Sequence, residues 1–396
     1  MLRLGFHYHV PALARDGGIY TPGYQGRFID SLAAHCARLT CFLHAPRADE
    51  VSLMDYRIQS PAVDLVPIGP HGSVPRRTVE ALWRAMPLVR QRRRELDALL
   101  IRGPSPLLPL VAAAVAPTPV VLLLVGDYLA GIDDLPQPRW RKGLIRLWAR
   151  WNRWAQLRVA SRSLTFVNSR KLYQELRPIA RHLVETRTTT LTSADFCQRD
   201  DTCRQRPLRL LYTGRMDRGK GLLQMVEALA LLVAGGQDVV LDLVGWPEPN
   251  DPILDEVGAL ARDRGVAGRV FYHGYRPVGP ELFVFYRQAD VYVIASTSSF
   301  EGFPRTIWEA MAHGLPVVAT RVGSIPDLLE AEQAAVLVEP RSSLALAEGI
   351  ARLLGDGALR RSHIARGYAL ALQNSLEGRA GEIVGHILAH LGVLRS

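Results

Sequence analysis

The sequence predicts an α/β fold made of two doubly wound parallel-sheet domains. Short apolar runs alternate with amphipathic helical segments along both halves of the chain, which is typical of a parallel sheet with helices on both faces. This alternation stops at the polar stretch 195–207 and then starts again. The chain of 396 residues, 48% of them apolar, also exceeds the size at which one core usually divides. We therefore expect domains at 1–200 and 206–374, followed by a helix at 375–396 that packs back on the first domain.

Each half of the chain supplies one set of strands, separated by segments of helical periodicity. From Asp356 onward the chain is expected to be helical to its end. The expected strands are 2–8, 39–44, 62–68, 98–102, 120–125 and 164–168 in the first half, and 208–214, 239–245, 269–274, 290–296, 316–320 and 334–339 in the second.

The segment 103–126 carries no charge and is long enough to be considered as a membrane span. Pro109, Pro117 and Pro119 argue against one continuous helix, because proline in a helix interior removes a hydrogen bond and clashes with the preceding turn. We therefore expect a short buried helix, a turn at the Pro-Thr-Pro sequence and then a buried strand.

The N-terminal residues lack the apolar stretch of about 7 to 15 residues that marks a signal peptide. The four cysteines are Cys36, Cys41, Cys197 and Cys203, and their spacing is not that of a zinc knuckle. We expect reduced thiols, no bound metal, no cofactor and a cytoplasmic location, extending to the inner face of the membrane.

The positive charge lies entirely in the first half of the chain. Residues 1–205 contain 29 basic and 17 acidic side chains, a net of +12, whereas residues 206–396 contain 19 and 21, a net of −2. The segment 135–174 alone has ten Arg or Lys and no acid. We expect an anionic partner to meet this half of the protein.

An amphipathic helix is predicted at 139–158, within this basic segment. At 100° per residue one stripe contains Trp140, Leu144, Leu147, Trp148, Trp151, Trp154 and Ala155, and the basic residues Lys142, Arg146, Arg150 and Arg153 lie opposite. Tryptophans beside a basic face are typical of a helix on anionic lipid. The alternative is that the stripe docks on the first sheet, as a crossover helix must, and the sequence leaves both open.

The sequence "GRMDRGKG" at 214–221 follows an expected strand and opens a helix. Arg215 and Lys220 therefore flank a glycine-bearing turn at a helix N-terminus, which favours an anion. Lysine occurs three times in the chain against 45 arginines, so its use here is consistent with a need for a compact point charge. An ordinary turn with exposed charges is the alternative.

A glycine pair, Gly17 and Gly18, follows the first expected strand. Glycine allows close backbone approach and positive φ, and the segment leads into a helix whose free amides attract an anion. The spacing is not that of the dinucleotide-binding G-x-G-x-x-G sequence.

Two glutamates frame the turn after the strand "DVYVIAST". Glu301 lies in the loop, and Glu309 lies roughly two turns along the following helix, which ends at Gly314 and Pro316. The free amides of the helix start lie between them. This arrangement could hold a phosphate between two sets of hydroxyl groups, or the glutamates could be solvated residues that favour the helix dipole.

Taken together, these stretches resemble the motifs of a known enzyme family. "GRMDRGKG", followed about eighty residues later by "EGFPRTIWEAMAHGLPVVATRVGSIPDLL", resembles the retaining nucleotide-sugar glycosyltransferases of glycosyltransferase family 4, which have the GT-B fold of two Rossmann-like domains facing each other across a cleft. The glycine pair, "FVNSRKL" at 166–172, "LVGW" at 243–246 and "VFYHGY" at 270–275 follow the order found in that family. The resemblance spans nearly the whole chain and is strongest in the second half.

The resemblance implies roles for four residues at the reacting centre. Arg215 and Lys220 match the pair that grips the donor diphosphate and stabilises the departing charge. Glu301 matches the glutamate beside the donor sugar, and Glu309 the one that accepts the ribose hydroxyls.

It also implies the rest of the donor site. Gly18 matches the glycine that approaches the diphosphate from the first domain, while Tyr275 and Arg276 fall where relatives hold the base. Pro304 stands where many relatives have glycine, and its missing N–H removes one possible phosphate donor. The other donor-binding residues implied are Gly17, Gly214, Gly302, Phe303, Arg305 and Thr306.

The sequence departs from the family at the end of the strand "VVLLLV". Many relatives have a His-Asp pair there, with the histidine close to the reacting carbon, but this chain has Gly126-Asp127. Asp127 is carried over as a contact to donor or acceptor. His7 and His9, on the first strand, are candidates to replace the histidine, and the alternative places them in the core or at its rim.

The predicted function is a retaining, metal-independent glycosyltransferase of hexosyltransferase type. It would move a sugar from a nucleotide-diphosphate sugar to a glycan or lipid-linked acceptor, in polysaccharide or glycolipid biosynthesis, and bind an anionic membrane surface. A nucleotide-sugar epimerase of the same fold is one alternative. The other is a non-enzymatic basic protein that binds a membrane or nucleic acid, suggested by a pI of 9.7. No nucleic-acid recognition motif is apparent, so we expect no nucleic-acid partner.

Overall fold

The chain forms two units, each built on one parallel β-sheet. The computed structural model describes residues 2–125, 139–187, 189, 191–247, 251–297 and 303–392. Unit 1 comprises Met1–Thr190 with Leu376–Ser396, and unit 2 comprises Leu191–Ser375.

Unit 1 contains a seven-stranded sheet in which all neighbouring strands run parallel. Its strand order is β10-β9-β8-β7-β1-β4-β6. The strands of unit 1 are β1 Leu2–His7, β2 Leu13–Arg15, β3 Gly18–Thr21, β4 Cys36–Ala45, β5 Tyr56–Arg57, β6 Val63–Pro70, β7 Ala98–Gly103, β8 Val120–Leu124, β9 Leu164–Val167 and β10 His182–Glu185, and its first helices are α1 Gly23–Ala33, α2 Val74–Trp83, α3 Ala85–Arg92, α4 Leu108–Val115, α5 Arg139–Ala160 and α6 Arg170–Leu176.

The two faces of this sheet bury separate cores, because successive side chains of a strand point to opposite faces. Phe6 and Leu100 lie in a cluster with residues of α1. Leu99 and Ile101 lie in the other cluster, with residues of α3 and α4. Both sheet faces are thus covered by helices, which explains why the strands read as continuous apolar runs.

Unit 2 contains a six-stranded parallel sheet of order β13-β12-β11-β14-β15-β16. Apolar side chains from its strands and helices form one buried cluster. The strands of unit 2 are β11 Leu208–Met216, β12 Val239–Pro247, β13 Val270–Tyr272, β14 Val291–Ile294, β15 Val317–Thr320 and β16 Val336–Val338, and its helices are α7 Leu222–Ala234, α8 Ile253–Asp263, α9 Pro280–Gln288, α10 Arg305–Ala312, α11 Ile325–Leu329, α12 Ser343–Gly355 and α13 Gly357–Gln373.

The last helix, α14 at Leu376–His390, returns to unit 1. Its residues Leu376, Ile383 and Ile387 are buried in the same cluster as residues of α1. The C-terminal region is therefore two helices, α13 and α14, separated by a break at Asn374 and Ser375.

The glycine pair of unit 1 lies in a β-hairpin and not in an open loop. Asp16 and Gly17 form the turn with φ of 50° and 69°, and Gly18 begins the returning strand β3. Asp-Gly is a preferred sequence for a two-residue hairpin turn, in which both central residues have positive φ. Strands β2, β3 and β5 make a small antiparallel sheet that the sequence did not predict.

The predicted fold class is confirmed: two doubly wound parallel-sheet α/β domains. Each strand expected for the two main sheets is present, while β10 was not foreseen. The uncharged segment forms α4 and then β8, as predicted. Among the described helices, none is both long and apolar enough to cross a membrane.

Candidate functional site

Two motifs of unit 2 meet at the carboxyl ends of neighbouring strands. From β11 the chain proceeds outward through β12 and β13, whereas β14 pairs with the opposite side of β11 and leads to β15 and β16. The strand order therefore reverses between β11 and β14, the position where doubly wound sheets bind ligands. The 214–221 sequence comprises the last residues of β11 and the turn after it, and the segment before α10 follows β14.

A close backbone contact joins these two motifs. The amide of Thr297 donates a 2.8 Å hydrogen bond to the carbonyl of Gly219. Gly221, with φ of 70°, begins α7 at a point where a Cβ atom would lie 2.0 Å from the carbonyl oxygen of Ala295. Only glycine fits between the turn and this strand end.

The turn after β11 presents three cations to the surface of unit 2. The Nε of Arg215, half-exposed, lies 2.8 Å from a carboxylate oxygen of Asp217, and Arg218 forms an ion pair with Glu256. Lys220 closes the 3₁₀ turn Arg218–Lys220, with its amide bonded to the carbonyl of Asp217. The turn thus has an excess of positive charge at a helix start, suited to an anion.

Three glycines, one at the carboxyl end of each of three neighbouring strands, lie side by side along the same end of the sheet. Gly214, Gly245 and Gly274 all have positive φ, and the Gly245 amide donates a 3.0 Å hydrogen bond to the Gly274 carbonyl. A Cβ atom at Gly245 would lie 1.8 Å from the Gly214 carbonyl oxygen. The backbones at the ends of β11, β12 and β13 can approach this closely only because these residues lack side chains.

The residue after each of these glycines lies at the same edge. Arg215 pairs in register with Trp246, and the Trp246 and Tyr275 rings are 5.4 Å apart in a T-shaped contact. Both rings are about half-exposed, and Arg276 donates a hydrogen bond to the Tyr275 carbonyl. An exposed aromatic pair beside a cationic turn offers a surface on which a planar base could pack. Trp246 is therefore a candidate alongside the predicted Tyr275 and Arg276.

Glu309 lies in a buried polar network under the strand ends. It is 4% exposed, and the Tyr286 phenol donates a 2.7 Å hydrogen bond to its Oε2. The Thr213 hydroxyl lies 2.5 Å from the same phenol, and the Tyr286 ring stacks on His313. Burial, reinforced by the Glu309 charge, raises the pKa of Tyr286 well above its usual value. The network links Glu309 to Thr213 in β11, one residue before Gly214.

The start of α10 supplies the other predicted donor-site residues of unit 2. Pro304 precedes the first turn of α10, which contains Arg305 and Thr306, and no side chain caps that turn. The ring of Phe303, which is partly buried, packs 4.6 Å from that of Trp308. The first-turn amides of α10 are therefore placed at the carboxyl end of β14. Glu301 and Gly302 lie outside the described residues.

The remaining predicted residues belong to unit 1. His7 is fully buried; its Nδ1 lies 2.9 Å from the Phe42 carbonyl oxygen and its Nε2 lies 3.2 Å from the Ser105 hydroxyl. His9, two residues after the end of the same strand, is partly exposed. Burial lowers the pKa of His7 to about 4 and that of His9 to about 3. Asp127 lies outside the described residues.

One face of helix α5 packs on the rest of unit 1, and the tryptophan stripe lies on another face. The buried residues Ala149, Asn152, Gln156 and Ala160 form one face, and helix α4 packs against α5. The tryptophan stripe is instead on the other side of the helix: Trp140, Leu144, Leu147, Trp151 and Trp154 are each 50–70% exposed. Arg150 is exposed, and Arg146 and Trp148 are partly buried on the flanks. The stripe is therefore not the face that docks on the sheet.

No group of three or more His, Cys, Asp or Glu side chains that could hold a metal ion occurs among the residues with described positions.

Comparison with known proteins finds a family match in the second half of the chain. Residues 207–356 match the family model of the Glycosyl transferases group 1. The structure as a whole has the GT-B fold: it superposes on Anabaena Alr3699/HepE in complex with UDP with a TM-score of 0.71 and 19% identity, covering 98% of this chain and 100% of that one. WaaG, a glycosyltransferase involved in lipopolysaccharide biosynthesis, superposes with a TM-score of 0.60 and 16% identity over 96% and 98% of the two chains.

Curated relatives match over shorter stretches. D-inositol 3-phosphate glycosyltransferase of Corynebacterium glutamicum (strain R) is 32% identical over 151 residues, which is 38% of this chain and 35% of the relative. The putative teichuronic acid biosynthesis glycosyltransferase TuaC of Bacillus subtilis (strain 168) is 28% identical over 251 residues, 61% of this chain and 57% of the relative. The chain thus spans about a third of the length of the first curated relatives it matches.

Proposed function

We propose that this protein is a retaining glycosyltransferase that moves a sugar from a nucleotide-diphosphate sugar to a glycan or lipid-linked acceptor in polysaccharide or glycolipid biosynthesis. The observation that carries the proposal is the contact between Gly219 and Thr297. It joins the cationic turn after β11 to the segment that leads into α10, inside a glycosyl transferases group 1 domain.

The chemistry follows from where charge develops. The bond between the sugar C1 and the diphosphate oxygen breaks, the acceptor oxygen forms a new bond to C1, and the acceptor proton passes to the leaving phosphate oxygen. Negative charge grows on the leaving group, so Arg215, Lys220 and the first-turn amides of α10 stabilise the transition state without requiring a metal ion. Attack from the face of departure retains the sugar configuration, and Glu301 orients the sugar.

We assign the nucleoside end of the donor to the carboxyl ends of β12 and β13, beside the cationic turn. Trp246 and Tyr275 form an exposed aromatic surface next to Arg215, on which the base would pack, with Arg276 beside it. Glu309 would accept the ribose hydroxyls from its buried network. HepE was crystallised in complex with UDP, so a uridine donor is the first to test.

The test combines ligand binding and turnover. A thermal-shift series with UDP, GDP and ADP should show one nucleotide raising the melting temperature, because binding to the native state adds stability by mass action. Release of the nucleoside diphosphate from the matching sugar donor then measures turnover. Lys220→Ala should lower turnover about 10²- to 10³-fold, whereas Arg352→Ala, which removes an exposed cation from α12, should not.

Three results would contradict the proposal. Near-normal turnover in Lys220→Ala would show that the turn after β11 does not stabilise the leaving group. An unchanged melting temperature with every nucleoside diphosphate would show that the proposed donor site does not bind one. An isomerised sugar nucleotide from the donor alone, without transfer to added acceptors, would assign the chain as an epimerase.

The exposed stripe of α5 supports peripheral binding to an anionic membrane, at the cytoplasmic face. Trp140, Trp151 and Trp154 present amphipathic rings to solvent on a helix whose flank contains Arg146 and Arg150. Such a helix gains from apolar burial at the interface and from attraction to anionic lipid. This location fits an acceptor that is lipid-linked.

Sedimentation with phosphatidylglycerol vesicles tests the membrane proposal. Binding should weaken as salt is raised, because exposed charges are screened. Trp151→Ser and Arg150→Glu should each reduce binding, whereas Leu372→Ser and Arg352→Glu, matched changes at exposed positions of unit 2, should leave it unchanged. A lack of vesicle binding at low salt would refute peripheral attachment while leaving the transferase proposal intact.

A further inference from the structure

Four histidines cluster at the carboxyl ends of neighbouring strands in unit 1. His7 ends β1, His9 follows two residues later, His44 is the second-to-last residue of β4, and His71 follows β6. The ring centroids of His44 lie 6.5 Å from His7 and 5.8 Å from His71. Ser105, after β7, contacts His7. We call these residues, with Arg77 of α2, the histidine cluster.

The histidine cluster lies where the order of this sheet reverses. The chain runs from β1 outward to β4 and β6 on one side, and β7 pairs with the other side of β1 before β8, β9 and β10. The contact between His7 and Ser105 bridges β1 and β7, so it marks the reversal itself. Ligands of doubly wound sheets bind at this position.

Two buried ring nitrogens in the cluster make no hydrogen bond to any residue that the structure describes. His44 is 2% exposed; its Nδ1 lies 3.3 Å from the Gly69 carbonyl oxygen and its buried Nε2 makes no hydrogen bond. His9 likewise contacts the Pro104 backbone, and its buried Nδ1 makes no hydrogen bond. Leaving a buried polar atom unsatisfied costs about 1–3 kcal/mol, so such atoms often mark a place where a ligand binds.

The tautomers of these histidines follow from their partners. A backbone carbonyl can only accept, so Nδ1 of His44 and the ring nitrogen of His9 that faces Pro104 each carry the hydrogen. In the neutral rings, Nε2 of His44 and Nδ1 of His9 therefore carry lone pairs. Protonation of either ring would create an N–H donor at the unsatisfied position.

The charge of the cluster comes from Arg77, which is 9% exposed. Burial is the first cause that lowers the pKa of His9 and His44 to about 3, and among the described residues the charged or titratable groups that act on both rings are His7, His71 and Arg77. Within the described part of the chain the cluster also includes the carboxylate of Glu50, which pairs with His71 and Arg47.

We propose that the histidine cluster binds an oxyanion, the phosphate or carboxylate group of an acidic acceptor, and that binding takes up a proton. Arg77 supplies the charge, and His9 and His44 become donors through the nitrogens that have no partner. An incoming anion offsets the field of Arg77, so the imidazolium form becomes favourable only when the site is occupied. That the oxyanion belongs to an acceptor substrate rests on the proposed transferase function, whereas the binding of an oxyanion does not.

Sulfate is a suitable first probe because its charge does not change between pH 6 and 8. Ring ¹⁵N resonances of the histidines in the full chain, followed by NMR during a sulfate titration, should shift for His9 and His44. The affinity should rise as pH falls, by up to about tenfold per pH unit for each proton taken up. Glucuronate, titrated in the same way, identifies the source: tighter glucuronate binding assigns a carboxylate, and tighter sulfate binding assigns a phosphate.

Arg77→Gln and Arg76→Gln are a matched pair on one helix, since Arg76 is exposed and paired with Glu80. Arg77→Gln should lower sulfate affinity at least tenfold, and Arg76→Gln should not. If Arg77→Gln does not fold, His9→Asn at the partly exposed rim replaces it, and the expected result is a weaker pH dependence of sulfate affinity than in the wild type.

Several outcomes would overturn the inference. These are no histidine shift with either anion, a shift that is the same at pH 6 and 8, or equal affinity in Arg77→Gln and Arg76→Gln. A response of His9 and His44 to UDP equal to that of sulfate would assign the cluster to the donor. If no nucleotide stabilises the protein but sulfate still shifts His9 and His44, the transferase proposal fails and the oxyanion site stands.

Discussion

The Tyr286 phenol donates a 2.7 Å hydrogen bond to Oε2 of Glu309. Both residues are buried, and the Thr213 hydroxyl completes the link to the end of β11. A carboxylate inside a protein is stable only when other groups satisfy its oxygens. Tyr286 on α9 therefore holds Glu309 in place for any ligand that meets the start of α10.

We expect Tyr286→Phe to weaken UDP binding by roughly tenfold or more. The change leaves the stacked ring on His313 but removes a hydrogen bond to a charged group, which is worth about 1.5–3 kcal/mol. Titration calorimetry with UDP measures the loss. Tyr368→Phe removes a phenol from α13, where the ring contacts Phe196, and should bind UDP normally.

An unchanged UDP affinity in Tyr286→Phe would show that Glu309 does not need this donor to act on the ligand. A fall in melting temperature with unchanged affinity would assign Tyr286 to stability alone.

Gly221→Ala should disrupt the contact between the β11 turn and the end of β14. A Cβ atom there would lie 2.0 Å from a backbone oxygen, and φ of 70° is unfavourable for alanine. The backbone must move, so we expect a loss of several degrees in melting temperature and of UDP binding together. Gly258→Ala on α8 is the control, because its Cβ would meet only the end of the Arg262 side chain at 3.6 Å. Equal stability of the two variants would contradict the prediction.

The main sheets could be predicted from sequence because buried parallel strands give continuous apolar runs. The small sheet of β2, β3 and β5 could not, since its strands have two to four residues and are mostly exposed or half-buried. The Asp16-Gly17 turn was the one signal available. β10 was missed because only four residues, His182–Glu185, pair at the sheet edge.

The site could be predicted only in part, because sequence patterns show local features but not contacts between residues that are distant in sequence. Glycines and charges at strand ends marked the turn at 214–221, but Tyr286 reaches Glu309 across elements that are distant in sequence, and no spacing rule predicts that contact. The stripe of α5 was visible from its periodicity, but periodicity does not say which face of a helix meets the sheet. The burial of Ala149 and Asn152 decides it.

Asp242→Asn should destabilise unit 2 by about 1.5–3 kcal/mol. The Asp242 carboxylate is 2% exposed and is held by Arg209 at 2.7 and 2.9 Å and by His273 at 2.7 Å. The change removes charge-assisted hydrogen bonds from a carboxylate that is itself buried, although the side chains of Arg209 and His273 are 35% and 27% exposed. Asp238→Asn breaks a pair with Arg269 in which the carboxylate is half-exposed, and should cost about 1 kcal/mol or less. Urea unfolding of both variants measures the difference, and equal losses would refute the prediction.

The buried histidines of unit 1 should make its stability depend on pH. Burial lowers the pKa of His44 from 6.5 to about 3 and that of His7 to about 4, so the unfolded chain binds more protons than the folded one between these values. The stabilisation is complete above pH 6.5 and is lost as pH falls toward the folded-state pKa. The contribution of each of these histidines to the free energy of unfolding should be about 2 kcal/mol smaller at pH 5.0 than at pH 7.5.

His44→Gln isolates the contribution of one ring. Its free energy of unfolding should fall by about 2 kcal/mol less than that of the wild type between pH 7.5 and 5.0, because glutamine takes up no proton. The measurement is urea unfolding at the two pH values in a buffer without sulfate or phosphate. His35→Gln changes an exposed histidine of the same unit and should keep the full wild-type dependence. If His44→Gln and His35→Gln show the same dependence, His44 is not the neutral, buried ring that its contacts with Gly69, His7 and His71 describe.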